Sequence, residues 1–301
     1  MGSFQPVDLE CRTVLARYLG FYPDNEGSEC NFSNLFIWGQ AQNIRWKIEA
    51  DCLLLQVEVK NSQPCLLMAF AAPERMETAL ETAVRTMTEQ GLPFKMTCLP
   101  EWYCEIMRRW FPGRFRFERE PYLDDYIYRA SDLITLRGNK YHKKRNHINK
   151  FLSRYADRYS YESFSPSLCD DCMEVYKQWL AGQSAPEALR EEYFSVQRAL
   201  NNAEALGLVG GVIKVDGEVG AFCLGERLTR DMALIHVEKA KLEIPELFTM
   251  INREFVAHAF SDLLWINREE DMGDEGLRKA KRSYHPARMV EKYSAVLSGE
   301  G

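Results

Sequence analysis

The sequence has no apolar run long enough to cross a membrane. The longest unbroken one, CLLMAFAA from Cys65 to Ala72, falls far short of the ~20 residues a spanning helix needs. Low-complexity tracts and proline- or glycine-rich linkers are missing too. The opening MGSFQPVDLECR carries acids and has no apolar centre, so no secretory leader is expected. Nine cysteines are an odd number without framework spacing, which points to free thiols in a reducing cytoplasm. Cys169 and Cys172 form a lone CDDC with no second pair, and it reads as a helix start rather than a zinc site. No two histidines lie at ligand spacing with a third ligand, so no metal is expected. P-loop, dinucleotide and Gly-x-Ser-x-Gly signatures do not occur, and no tightly bound cofactor is expected. Positive charge is also in deficit: 38 Lys and Arg stand against 44 Asp and Glu, a net −6. That balance excludes a protein that coats nucleic acid or anionic membrane, but leaves room for one local basic site.

What is present is an order of elements that occurs twice. In the first half, helices fit VDLECRTVLARYLGF and SNLFIWGQAQ. A hairpin follows around Ala50-Asp51, then a third strand, CLLMAFA. Pro73 opens a long helix that Gly91 closes; a short strand PFKMTCL, a helix PEWYCEIMRRWF and a strand RFRFERE complete the half. The second half offers helices at SLCDDCMEVYKQWLAG and PEALREEYFSVQRALNNAEALG, then a hairpin around Asp216-Gly217 and a third strand MALIHVE. A helix IPELFTMINREFVAHAFS, a strand LLWIN, a helix DEGLRKAKRSY and a final strand MVEKYSAVL close it. Both halves are mixed α/β. The expected ranges are 1–130, a basic connecting helix at 131–158, and 159–301 as the functional domain.

The basic segment 137–158 holds Arg137, Lys140, Lys143, Lys144, Arg145, Lys150, Arg154 and Arg158 against one acid, Asp157. On a helix the basic residues follow one stripe, while Tyr141, Ile148, Phe151 and Tyr155 follow another. Gly138 is placed at the entry turn. Such a helix fits a phosphate site, or a solvated connector whose cations answer neighbouring acids. A sequence-reading nucleic-acid module is not expected. His236 lies in an apolar strand and reads as a satisfied core residue, His258 faces a helix core stripe, and His285 precedes Pro286 in a turn.

The repeated order resembles the GNAT acyltransferase fold in tandem, each domain a mostly antiparallel mixed sheet flanked by helices. Three segments, NFSNLFIWG, GNKYHKKRNHINKF and INREEDMGDEGLRKAKRSYHP, the last preceded by GERLTRDMALIHVEKA, resemble the bacterial family grouped with the C-terminal catalytic domain of phosphatidylglycerol lysyltransferase. The resemblance implies kinship with lysyl-phosphatidylglycerol synthases and Fem peptidyltransferases, which move an aminoacyl group from charged tRNA to an amine or hydroxyl. An ordinary GNAT enzyme seats the acyl-CoA diphosphate on a glycine-bearing turn at a helix N-terminus. The matching loops here, EKAKLEIPELF and FAAPERM, contain no glycine, and the first carries Pro245. The donor expected is therefore phosphate-bearing, aminoacyl-tRNA or acyl-CoA, with the pattern favouring tRNA. A small molecule or lipid headgroup is the expected acceptor.

For transfer without a covalent enzyme intermediate, the attacking group needs a base and the oxyanion a donor. Glu226, Glu238 and Asp271 are the base candidates. The resemblance makes Lys281, which matches a lysine in the corresponding helix of the related domains, the candidate for binding the acyl carbonyl or a phosphate, and Tyr284, in the place where many GNAT enzymes hold a tyrosine, the candidate acid. Lys140, Lys143, Lys144, Arg145, Lys239 and Asn267 are assigned to gripping the donor. The rival reading is a non-catalytic binder of an anionic small molecule or nucleotide.

Overall fold

The computed structural model describes residues 3–58, 62–183 and 189–299. The part of the expected helix at 186–188 and the turn residue Asn61 lie outside these ranges. The chain divides into two compact units. The first comprises 1–125, 270–273 and 289–301; the second comprises 126–269 and 274–288.

Strands of the first sheet are β1 (Gln5–Pro6), β2 (Arg45–Glu49), β3 (Cys52–Val57), β4 (Cys65–Leu66), β5 (Lys95–Pro100) and β6 (Phe115–Arg119). Those of the second are β7 (Asp125–Arg129), β8 (Tyr159–Ser163), β9 (Val209–Val215), β10 (Glu218–Arg227), β11 (Met232–Ala240), β12 (Trp265–Asn267) and β13 (Arg288–Val290). The last strand, β14 (Lys292–Leu297), joins the first sheet, whose order is β1-β2-β3-β4-β5-β14-β6. The second runs β13-β7-β12-β11-β10-β9-β8. The expected final strand thus forms, but pairs antiparallel with β5 and β6 of the first unit. DYIYR, not predicted as a strand, becomes β7 and pairs with β12. Where CLLMAFA was expected as a full third strand, only Cys65–Leu66 is a strand, with one further bridge from Phe70 to Leu53.

The helices are α1 (Arg12–Leu19), α2 (Phe32–Trp38), α3 (Met76–Glu89), α4 (Glu101–Trp110), α5 (Ala130–Thr135), α6 (His142–Tyr155), α7 (Cys169–Ala181), α8 (Arg190–Asn201), α9 (Ala203–Leu206), α10 (Leu247–Ala259) and α11 (Glu275–Arg282). In the first unit, α3 buries Met76, Ala79, Leu80, Ala83 and Met87 and packs on β3, the i, i+3, i+4 pattern of an amphipathic helix. In the second, α10 sets Leu247, Met250, Ile251 and Phe255 against β9, β10 and β11. The two predicted hairpin turns form, with left-handed backbone at Ala50-Asp51 and at Asp216-Gly217. The connecting segment is shorter than expected as a regular helix. α5 ends at Leu136 in the left-handed region, Gly138 turns with φ +99°, and α6 starts at His142.

Candidate functional site in the second unit

A bulge sets the geometry of β11. Leu224 pairs with Val237 and Gly225 with Ile235, so His236 is the extra residue. A side chain at Gly225 would put its Cβ 2.5 Å from the Leu234 carbonyl oxygen, so only glycine allows this approach. The bulge re-aims His236 between two carboxylates: its Nε2 is 2.9 Å from Glu226 Oε1 and its Nδ1 3.1 Å from Glu269 Oε1. With a carboxylate on each ring nitrogen, both nitrogens carry protons. Burial presses the imidazole pKa down, but its hydrogen bonds to Glu226 and Glu269 outweigh it and push it up to about 9. His236 is the satisfied core residue expected from the sequence, and it is charged. Glu269 holds its place with a left-handed backbone, and its N–H donates to Asn267 Oδ1 at 2.7 Å.

Two residues along β11, Glu238 has both carboxylate oxygens engaged. Oε1 accepts from Arg268 Nη2 at 2.9 Å, and Oε2 accepts from Asn252 Nδ2 of α10 at 2.9 Å. The Arg268 guanidinium lies over the rings of Tyr284 (5.0 Å) and Tyr128 (5.6 Å). Its Nη1 is buried and has no hydrogen-bond partner among the described residues. On the same Tyr284 ring sits Lys144 Nζ, 3.7 Å from the centroid. Burial and then the charge of Arg268 lower the Lys144 ammonium to about 8. Burial also pushes the Tyr284 phenol up to about 12, so it stays protonated at neutral pH.

α11 supplies the floor. Asp274 caps its start by accepting from Leu277 N–H at 2.6 Å. Lys281, buried, donates from Nζ to the Arg268 carbonyl at 2.6 Å, and its own carbonyl accepts from Tyr128 Oη at 2.8 Å. Tyr141, at the entry to α6, donates to the Tyr284 carbonyl at 3.0 Å, tying the basic helix to this centre.

The structure therefore brings together Glu238, Lys281, Tyr284 and Lys144 around Arg268, with Glu226 and Asn267 one step along through His236 and Glu269. It does not bring in the rest. Lys239 points to the other face of β11, as strand alternation requires, where its Nζ donates to Glu192 at 2.8 Å under Trp179. Burial there lowers its pKa. Arg145 donates to the carbonyls of Leu136 and Gly138 and holds the turn into α6. Lys140 pairs with Asp132 at 3.4 Å. Lys143 is exposed, with no ion-pair partner among the described residues. Lys150 pairs with Glu246 at 2.5 Å and Arg158 with Asp216, so with Lys140 three of the eight basic residues of the strip pair with acids of their own unit. Asp271 belongs to the first unit, buried, with Oδ1 accepting from Gly273 N–H at 2.9 Å.

Two groups escaped the sequence reading. Arg268 stands among acids in WINREED, and a lone arginine in a turn is ordinarily a surface residue; nothing local marks it as buried. The other is in the first unit, where Glu29, Asp125 and Glu270 bring carboxylate oxygens within 4.8 Å of one another. Lys292, fully buried on β14, bonds to Glu29 and lies 3.2 Å from Asp125. Burial raises Glu29 to about 7 despite that ammonium. The four residues are too distant in sequence for spacing to reveal them.

Comparison with known proteins places this arrangement. The structure matches that of a tandem GNAT protein from the clavulanic acid biosynthesis pathway over 99% of each chain, at 10% identity and a TM-score of 0.51, and the fold is that of tandem GNAT-like acyltransferases. The chain belongs to the family of phosphatidylglycerol lysyltransferase C-terminal domains, whose family model matches residues 23–296. A conserved protein of unknown function from Bacteroides thetaiotaomicron VPI-5482 is 32% identical with a TM-score of 0.90, covering 99% of this chain and 100% of that one. L-PGS from Bacillus licheniformis shares the fold at 15% identity and a TM-score of 0.66, over 100% of this chain and 95% of that one. An uncharacterised protein of Mycoplasmoides gallisepticum is 22% identical over 171 residues, 56% of this chain and 54% of that protein, so the chain matches about half the length of this curated relative. Family and fold together place the chain among proteins with the tandem GNAT-like fold. Among the described residues, no helix is long and apolar enough to cross a membrane.

Proposed function

We propose that the protein transfers an aminoacyl group from charged tRNA, rather than an acyl group from CoA, to an amine or hydroxyl. The observation that carries the choice of donor lies at the start of α10. In an ordinary GNAT enzyme the donor's diphosphate rests on this helix N-terminus. Here Pro245 has no N–H to offer, and the buried Glu246 places a carboxylate at the N-cap, with Lys150 as its counter-ion. The protein's own anion takes the favourable end of the helix dipole, and an incoming diphosphate would meet like charge.

In this reading the acceptor attacks the ester carbonyl directly. The new C–N or C–O bond forms as the ester C–O bond to the ribose breaks. The attacking group's proton passes to a carboxylate, with Glu226 as the proposed base, and Tyr284 gives a proton to the leaving hydroxyl. Glu238, with both oxygens committed, positions Arg268 instead. The test is a thermal-shift screen at low and high salt. Aminoacyl-tRNA should raise the melting temperature at low salt and lose that effect at high salt, and CoA thioesters should have none. A shift from CoA thioesters alone would reverse the choice of donor.

A further inference from the structure

We infer that Arg268 and Lys144 form an oxyanion site that grips a phosphate ester between Nη1 of the guanidinium and the Lys144 ammonium, beside the Tyr284 ring. This deepens the transferase reading and rests on it for what the phosphate belongs to.

The argument begins with accounting for cations. Lys150, Arg158 and Lys239 each have a carboxylate within 2.8 Å, and Lys292 is enclosed by Glu29 and Asp125. Arg268 and Lys144 are two cations of the centre with one carboxylate between them. They share one aromatic ring, and among the described residues the single carboxylate bonded to either of them is Glu238, through Arg268 Nη2. Two like charges gathered on one ring repel, and a buried guanidinium nitrogen without an acceptor has lost its water with no hydrogen bond in return. One anion placed between them relieves both penalties. Phosphate suits the place because it offers acceptor oxygens to a fixed N–H and to a mobile ammonium at once. The guanidinium lies over the rings of both Tyr284 and Tyr128, which offer it no acceptor oxygen in their faces.

A second consequence is specific to this pair. Lys144 is held down to about 8 by burial and by Arg268. An anion at the site favours the charged ammonium, so binding near pH 8 takes up a proton.

Isothermal titration of the full chain with inorganic phosphate, AMP and glycerol 3-phosphate tests the assignment. Each titration is run at pH 7 and pH 8.5, in buffers of differing ionisation enthalpy. Saturable binding is expected, weakened at least about tenfold in Arg268→Lys and in Lys144→Met. Arg268→Lys keeps a cation for Glu238 and removes the second nitrogen; melting temperatures confirm that both variants fold. Proton uptake should appear at pH 8.5 and vanish in Lys144→Met. AMP binding more tightly than glycerol 3-phosphate identifies a nucleotide phosphate, the reverse order a lipid headgroup, and either order upholds the site. Unchanged affinity in both variants, or no saturable binding by the folded wild type, overturns it. Phosphate-ester binding without any group transfer would leave the site standing and remove the transferase reading. Transfer undiminished in Arg268→Lys would do the opposite.

Discussion

Glu238, near the end of β11, and Arg268, just past the end of the neighbouring parallel strand β12, are 30 residues apart in sequence and meet at 2.9 Å with both side chains nearly withdrawn from solvent. The pair holds the guanidinium against Tyr284, and the rest of the centre is built on it. A buried pair of this kind adds little net stability, but breaking it leaves one charge alone. Glu238→Ala should therefore destabilise the protein by roughly 3–5 kcal/mol. Urea unfolding of Glu238→Ala and Glu238→Gln checks this, with the amide variant expected to lose less.

His236 makes stability depend on pH. Its folded-state pKa is about 9 against an ordinary 6.5, so its contribution is full below pH 6.5 and is lost as pH rises toward 9. The swing is of order 3 kcal/mol. Unfolding free energies measured from pH 6 to 9.5 should fall across this window in the wild type. In His236→Gln that part of the slope should be gone.

The first unit has its own buried charge. Replacing Lys292 by Met removes the counter-ion of Glu29 and Asp125 and should cost about 3–5 kcal/mol at pH 8. Glu29 titrates with a raised pKa of about 7, so the wild type loses that residue's contribution as pH rises from the ordinary carboxylate range through 7. Acid should therefore partly restore Lys292→Met, because a protonated Glu29 needs no cation. A variant equally destabilised at pH 5 and pH 8 would contradict this account.

Gly225→Ala should disturb the bulge that aims His236. The added Cβ would lie 2.5 Å from a backbone oxygen, which cannot yield as a flexible side chain would. A loss of about 1–3 kcal/mol is expected. The imidazole proton resonances, followed by NMR, should shift away from those of the doubly bonded imidazolium.

Local signals carried much of the fold. The Ala50-Asp51 and Asp216-Gly217 turns, the helix opened at Pro73 and the Leu247, Ile251 and Phe255 stripe of α10 could be read because turn chemistry and periodicity are properties of adjacent residues, whereas His258, expected on that stripe, is exposed. The assignment of β14 to the first sheet could not be read, since which sheet accepts a strand depends on edges formed far away in sequence. The site was legible as residue types at strand ends: Glu226, Glu238, Lys281, Tyr284 and Lys144 do gather in the second unit. Which of them hold one another was not. Lys239 and Glu238 are adjacent in sequence yet face opposite ways across the sheet, and Arg145 is consumed by two carbonyls of its own turn. Arg268 was overlooked because only its tertiary surroundings make it exceptional.

The central claim is that the Arg268 centre serves transfer from an aminoacyl ester. The most direct measurement follows a labelled amino acid from charged tRNA into a non-RNA acceptor, with labelled acetyl-CoA run in parallel, for wild type and Arg268→Lys. The account predicts label transfer from tRNA by the wild type, a loss of at least about tenfold in Arg268→Lys, and none from acetyl-CoA. Transfer from acetyl-CoA, or transfer from tRNA that Arg268→Lys leaves unchanged, would contradict it.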